Sequence, residues 1–399
     1  MTIEIIIHRG TKQIGGCVTE IRTEEARIFI DLGSELPDIY GNTPPETLSI
    51  DGVTQAGNDC DGVFFTHYHG DHIGMISLVM PHVPLYMGQA TKEIHLTYQR
   101  RINRGHIPAD DRIRTFWAKK EIRIKDLSVT PFLVDHSAYD AYMFLIKGHG
   151  MNILHTGDFR THGFRGKAVI PMLEKYVGQV DVLIIEGTSL SNDRVHSIDE
   201  GQLQKEARKL LSAYKYVFVL CSSTNIDRIA SFHEATPLGK YFLCDKYQKD
   251  IIDIAKKYGE EHSSLYSFNK ALVYGKNLKD KVEQRGFCMV VRSSGWFLDI
   301  MKDYRENHDP ECLLIYSMWD GYLRQSVNGL QSLMDSFQHS IHLHTSGHAT
   351  TDAIIDVCNT VRPKRAIIPI HTFNPTKLDA LGLPFHIEYL ADGQVFEVN

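Results

Sequence analysis

Six consecutive residues constrain this chain more than any other feature: His67-Tyr68-His69-Gly70-Asp71-His72, entered from the apolar run Val63–Thr66. The run GVFFT reads as a buried strand. On an extended chain residues i and i+2 share a face, so His67 and His69 point to one side. Gly70 permits a tight turn. Asp71 and His72 then lie where the chain enters the segment IGMISLVM, which reads as a helix. Three imidazoles and a carboxylate at this spacing suit Zn²⁺ or a similar transition ion. A chance cluster on a surface loop would lack the buried strand that delivers these side chains.

Four donors are too few for two ions, and three more candidates stand at later strand ends. His136 closes FLVDH, Asp158 closes ILHTGD and His371 closes AIIPIH. A lone His at a strand end is usually an ordinary polar residue. Here the same context recurs three times, which favours ligation. His155 would face away from Asp158 on an extended chain and reads as structural.

The rest of the composition sets the class. The chain has 399 residues, 43 Lys+Arg against 49 Asp+Glu, 43% apolar and 23% charged residues. Disordered and low-complexity architectures are excluded. The formal charge of −6 gives no global signal for nucleic acid, whereas 21 His is a high count that fits a metal site. No apolar run approaches the ~18 residues of a membrane span. MTIEIIIHRG reads as a first strand rather than a signal peptide. Seven scattered cysteines without CxxC argue against a disulfide framework and for a reducing, cytoplasmic setting. Residues 1–190 read as two antiparallel or mixed sheets with helices between and outside them. From about residue 200, strands such as YKYVFVLCSS, KYFLCD, GFCMVVRSS and CLLIYSM alternate with helices, the rhythm of a parallel sheet.

HxHxDH followed by a later His, Asp and His resembles the metallo-β-lactamase superfamily. Asp158 and His371 stand 213 positions apart, which leaves room for an inserted domain. That insertion is the hallmark of the beta-CASP nucleases, and ribonuclease J matches best. VLIIEGTS (Glu186), HTSGHAT (His344, Ser346, His348), IIPIH (His371), CSSTNIDR (Ser223, Asn225, Arg228) and VDHSAYDA (His136) are similar to segments of that family. The resemblance implies an α/β fold: an αββα metallo-β-lactamase sandwich over residues 1–199 and 336–399, with a parallel-sheet beta-CASP domain at 200–335. It also implies two divalent ions, Zn²⁺ favoured and Mn²⁺ as the alternative. His67, His69 and His136 would hold one, Asp71, His72 and His371 the other, with Asp158 bridging. The sequence departs at Tyr139, where the family has Pro, and at Thr372-Phe373, where it has Gly-Glu.

The implied activity is phosphodiester hydrolysis through a water activated by two metals. Asp71 belongs to the ligand cluster and turnover depends on it. His348 is the candidate proton donor, since imidazole matches neutral pH, and Glu186 would orient it. His344, Ser223 and Ser346 would hydrogen-bond phosphate, with Asn225 and Arg228 in the same binding set. The partner implied is single-stranded RNA, because a His in the last motif accompanies RNA-cleaving members. No membrane partner is implied, and a homo-oligomer stays an open option. A DNA nuclease, a small-molecule metallo-hydrolase and an inactive RNA-binding subunit are the competing readings. Gln99–Lys125 carries nine Arg/Lys against three Asp/Glu. Such a run is by default a solvated helix face, but it also fits a nucleic-acid backbone, with Phe116 and Trp117 as stacking candidates. Arg362, Lys364 and Arg365 form a smaller basic group near His371 in the chain.

Overall fold

The computed structural model of the protein describes residues 2–38, 40–102, 111–191, 198–325 and 329–399. The chain divides into two compact units. One comprises Met1–Leu36, Thr43–His196 and Gly347–Asn399, the other Pro37–Asn42 and Ser197–Ser346. In chain order the first unit carries β1 (Ile3–Arg9), β2 (Val18–Arg22), β3 (Arg27–Ile30), β4 (Gly62–Phe64), β5 (Leu85–Gly88), β6 (Ile113–Phe116), β7 (Ile122–Ile124), β8 (Leu127–Val134), β9 (Ala141–Gly148), β10 (Met151–His155) and β11 (Val182–Glu186). The second carries β12 (Tyr216–Leu220), β13 (Tyr241–Cys244), β14 (Ala271–Val273), β15 (Phe287–Val291), β16 (Cys312–Tyr316) and β17 (Ser340–His342). The chain then returns to the first unit with β18 (Ala366–Ile370) and β19 (Val395–Val398).

Among the described residues the first unit forms two sheets, ordered β19-β1-β2-β3-β4-β5-β6 and β18-β11-β10-β9-β8-β7. Strand periodicity decides which side chains meet between them. Ile3, Ile5 and Ile7 of β1 and Phe64 of β4 share one core with Val129, Phe144, Ile153, Ile184 and Ile368. Val63 and Phe65 point the other way, into a second core with Leu32, Ile73, Ile76 and Leu96. Leu96 lies on helix Gln89–Ile102, which covers that outer face. Helix Thr351–Val361 packs on β11 and on helix Val169–Tyr176. The result is the four-layer αββα arrangement implied by the sequence, with an inserted α/β unit.

Strand direction explains where the ligand candidates emerge. β9 is antiparallel to both β8 and β10, while β10, β11 and β18 are mutually parallel. β8, β10, β11 and β18 therefore end at one edge of their sheet. His136, Asp158, Glu186 and His371 all lie at or just after those ends.

Two local expectations differ. IGMISLVM forms one short helix, Gly70–Ile73, and a 3₁₀ turn, Ile76–Leu78, instead of a continuous helix. The acceptors that would propagate the helix are already engaged: Asp71 O accepts from Cys17 N and His72 O from Leu32 N. Met75 N donates to Leu32 O instead. The inserted segment also runs further than residue 335, because β17 pairs with β16.

The second unit is a parallel sheet ordered β14-β13-β15-β12-β16-β17. Its apolar core includes Phe218, Leu243, Met289, Phe297 and Leu314. Capping boxes at Asp199 and Asp245 start two of its helices. All seven cysteines are buried free thiols. Among the described residues no helix is long and apolar enough to cross a membrane.

Candidate metal centre

The seven residues proposed as ligands converge on one point of the first unit, and its centre is Asp158 Oδ2. This oxygen lies 3.1 Å from His72 Nε2, 3.8 Å from His136 Nε2, 3.9 Å from His371 Nε2 and 4.0 Å from His67 Nε2. His69 Nδ1 is 3.3 Å from His136 Nε2, and Asp71 Oδ2 is 3.3 Å from His371 Nε2. His67, His69 and His136 bring their donor atoms within 4.8 Å of one another, and so do Asp71, His72 and His371. Asp158 groups with His67 and His72 at the same spacing.

Hydrogen bonds behind the ligands choose which nitrogen faces the centre. His72 Nδ1 is 2.7 Å from Asp31 Oδ2, His136 Nδ1 donates to Gly347 O at 2.5 Å, and His371 Nδ1 is 2.7 Å from Thr188 Oγ1. Each bond leaves Nε2 turned inward. His371 has φ 56°, a left-handed conformation uncommon outside Gly, and its N–H donates to Gly10 O at 2.8 Å. Gly33 lies against the Asp71 backbone, where a Cβ would come within 1.7 Å of Asp71 O.

The electrostatics fit cations. Burial pushes the His67 and His136 imidazoles well below their ordinary pKa, and pushes His69 down to about 4. All three are neutral at physiological pH, the form that coordinates metal. Burial has the same tendency at His72, but Asp158, Asp31 and Asp71 outweigh it and raise its pKa, so these carboxylates favour positive charge at this point, which a bound cation would supply. Burial raises the carboxyls of Asp71 and Asp158, yet the neighbouring imidazoles outweigh it and keep both ionised. The ionised Asp71 and Asp158 thus stand among the neutral imidazoles of His67, His69 and His136, a setting that favours a cation. His67 Nε2 is buried with no hydrogen-bond partner, a costly arrangement unless a cation completes it. The N/O donor set fits divalent transition ions.

Glu186 and His348 reach the same point. His348 Nδ1 is 3.3 Å from Glu186 Oε2, 3.5 Å from Asp158 Oδ2 and 3.2 Å from Thr188 Oγ1. Burial opposes the charge on His348, but Glu186 and Asp158 prevail and raise its pKa to about 9. Glu186 Oε1 also accepts from Phe159 N and Ala349 N, and Oε2 from Thr188 N. It therefore ties the segments that present Asp158 and His348.

The remaining candidates lie in the second unit, at the carboxyl edge of its parallel sheet, where ligands of such sheets bind. Ser223 Oγ accepts from Arg292 Nη1 at 3.1 Å, and the Asn225 side chain caps helix Ile226–Ala235. Arg228 is fully buried and bonds Glu200, Thr345 O and His344 Nδ1. It holds the HTS segment from within rather than presenting charge outward. His344 and Ser346 are half-buried.

Of the basic run, residues 103–110 lie outside the described residues. Arg112 donates to Val79 O and Met80 O, and Arg114 to Tyr86 Oη. Phe116 is buried against Tyr142, so only Trp117 of the two stacking candidates is exposed. Arg362, Lys364 and Arg365 precede β18, whereas His371 follows it. The strand separates them by about 17 Å at ~3.3 Å per residue, which removes this group from the site.

Comparison with known proteins agrees with the geometry. A beta-lactamase superfamily domain is matched over residues 35–216. Ribonuclease J of Mycoplasma genitalium is 22% identical over 392 residues, covering 91% of this chain and 66% of that protein. The Mycoplasma pneumoniae ribonuclease J is 21% identical over 398 residues, with 92% and 67% covered. That of Helicobacter pylori is 22% identical over 393 residues, with 91% and 54% covered. The chain resembles ribonuclease J of the metallo-β-lactamase superfamily. It spans about half to two thirds of the length of these ribonuclease J relatives. A solved structure, a protein of unknown function from Enterococcus faecalis V583, has the same fold with a TM-score of 0.79 at 20% identity over 100% of both chains.

Several residues that hold the centre of this ribonuclease J-like chain escape sequence reasoning. Asp31 follows β3 in FIDLG, and its carboxylate takes Thr66 N–H, the Thr66 hydroxyl and His72 Nδ1. A carboxylate closing an apolar strand was the available signal. Thr188 and the Asp135–Arg160 pair had none, because each works through a partner distant in sequence.

Proposed function

We propose that this chain is a metal-dependent nuclease that hydrolyses phosphodiester bonds, with single-stranded RNA as the favoured substrate. The observation that carries this reading is the convergence of four imidazole Nε2 atoms within 4.0 Å of Asp158 Oδ2. His67, His69 and His136 would hold one divalent ion and Asp71, His72 and His371 a second, with the Asp158 carboxylate lying between the two sets. Zinc suits the imidazole-rich set best, and manganese is the alternative. Two such ions, when bound, would supply an activated water and neutralise charge on the phosphoryl oxygens.

The chain's own groups supply the rest. His348, held protonated between Glu186 and Asp158, gives its proton to the leaving oxygen. Glu186 and Thr188 fix the orientation of its ring. On the second unit, which we take as a beta-CASP domain, His344, Ser223 and Ser346 bind phosphate, backed by Asn225 and Arg228. The choice of RNA rests on similarity to ribonuclease J. The buried free thiols fit a reducing cytoplasm.

The test is a substrate panel given to the metal-loaded protein: bis(p-nitrophenyl) phosphate, single-stranded RNA and DNA, a thioester and a lactone. Hydrolysis of the phosphodiesters, RNA fastest, supports the proposal. Turnover of the thioester or lactone alone would make the chain a small-molecule hydrolase.

A further inference from the structure

Away from the ligands, the first unit exposes an unusual group of side chains. Trp117 is 62% and Tyr176 41% exposed. The Lys119 ammonium sits 4.3 Å from the Tyr176 ring centroid and that of Lys175 at 5.2 Å. Lys120 is exposed beside them in the chain. Among the described residues no carboxylate pairs with Lys119, Lys120 or Lys175. The nearby Glu121 is engaged with Arg123 at 3.2 Å, and Glu174 precedes Lys175.

The backbone presents this group deliberately. Trp117 to Lys120 form a turn, closed by Lys120 N donating to Trp117 O, and Lys119 N donates to Pro131 O at 2.7 Å. Lys119 has φ 65°, the left-handed region that Gly occupies at least cost. A turn built only to connect β6 with β7 would be more stable with Gly there. The turn keeps a Lys there, whose ammonium lies over the Tyr176 ring. Lys175, in the last turn of its helix, is already accounted for by the helix dipole. Lys119 is not.

Position gives the use. β3, β4, β5 and β6 are mutually parallel, so Trp117 leaves β6 at the edge where His67 leaves β4. Two strand spacings separate them, about 10 Å in the sheet plane. We propose that Trp117, Lys119, Lys120, Lys175 and Tyr176 form a binding platform for single-stranded nucleic acid, the aromatic faces stacking on bases and the ammonium groups on phosphates. Stacking with interleaved cations is how single strands are held without base readout. In a chain of net charge −6, three clustered lysines without a carboxylate partner among the described residues favour a polyanion. The proposal takes from the nuclease reading only the choice of RNA as the strand.

The test is binding of the full chain, in EDTA to prevent cleavage, to fluorescein-labelled U₁₂ RNA by anisotropy across a salt series. Lys119→Gly keeps the turn and removes the charge. It should leave the melting temperature unchanged or higher, weaken binding, and reduce the salt slope by about 0.7. Trp117→Ala should weaken binding by about 5–100-fold, the usual worth of a stacked base, and remove most of the tryptophan quenching on binding. Both variants should hydrolyse bis(p-nitrophenyl) phosphate like the parent. Wild-type affinity and salt slope in both variants would overturn the platform. So would equal binding of anionic lipid vesicles and RNA with no effect of Trp117→Ala. If metal-loaded protein cleaves nothing yet the variants lose RNA binding, the nuclease reading fails and the platform stands.

Discussion

Asp135 Oδ1 and Arg160 Nε lie 2.9 Å apart, and both side chains are fully buried. Asp135 precedes the ligand candidate His136, and Arg160 follows Asp158 by two residues. Arg160 N donates to Asp135 O at 2.7 Å and Arg165 N to Asp135 Oδ2 at 3.0 Å. The ion pair therefore fixes the spacing of two loops that each deliver a ligand candidate. Asp135→Asn leaves a buried guanidinium uncompensated, so it should cost about 3–5 kcal/mol and weaken metal binding together with stability. Urea unfolding and chelator competition check this. Loss of stability with unchanged metal affinity would make the pair purely structural.

Asp31 acts on the ligand candidate His72, 2.7 Å from its Nδ1. It adopts φ 60°, which Asn also tolerates, so Asp31→Asn removes charge without straining the backbone. His72 loses the partner that orients its Nδ1. Zinc affinity should fall about 10–100-fold, and at one of two sites only. Calorimetric titration resolves the two sites; equal loss at both, or at neither, contradicts the assignment.

His348 and Asp71 should separate cleanly. His348→Ala should keep its metal content and lose about 10²–10⁴-fold in rate, the usual worth of a positioned general acid. Asp71→Ala should lose metal and turnover together. Elemental analysis beside kinetics distinguishes them. If His348→Ala raises only KM and leaves kcat and its alkaline limb unchanged, the residue is a binding group.

Much of this centre was legible in the sequence. HxHxDH marks a cluster of candidate ligands because strand alternation and a glycine turn dictate where each side chain points. His136, Asp158 and His371 were found because each closes an apolar strand. Asp135, Asp31 and Thr188 were not, since their roles come from contacts across 25 to 183 residues of chain. The helix expected after His72 failed for a similar reason. Its carbonyls serve Cys17 and Leu32, and local periodicity carries no record of that.

The fold should also show an acid limb unrelated to catalysis. Glu20 is buried, 2.6 Å from His8 Nε2 and 2.7 Å from Arg27 Nε. Burial raises its carboxyl, but the His8 and Arg27 hydrogen bonds outweigh it and lower the pKa to about 2. The unfolded value is near 4.3. The folded state therefore binds fewer protons than the unfolded state across this range. Glu20 contributes about 3 kcal/mol above pH ~4.5, lost as pH falls toward 2. Glu20→Gln should reduce stability at pH 7 and flatten this limb in denaturant unfolding. An unchanged slope between pH 4.5 and 2.5 would contradict the assignment.

The proposed function requires that the cluster around Asp158 bind metal to cleave nucleic-acid strands. Incubation of chelator-stripped protein with 5′- and 3′-end-labelled single-stranded RNA, with zinc or manganese added back stepwise, tests it most directly. Cleavage that is absent without metal, saturates near two ions per chain and disappears in Asp71→Ala is the predicted result. Cleavage that persists without metal and in Asp71→Ala, or no cleavage of RNA or DNA by protein holding two ions, would contradict it.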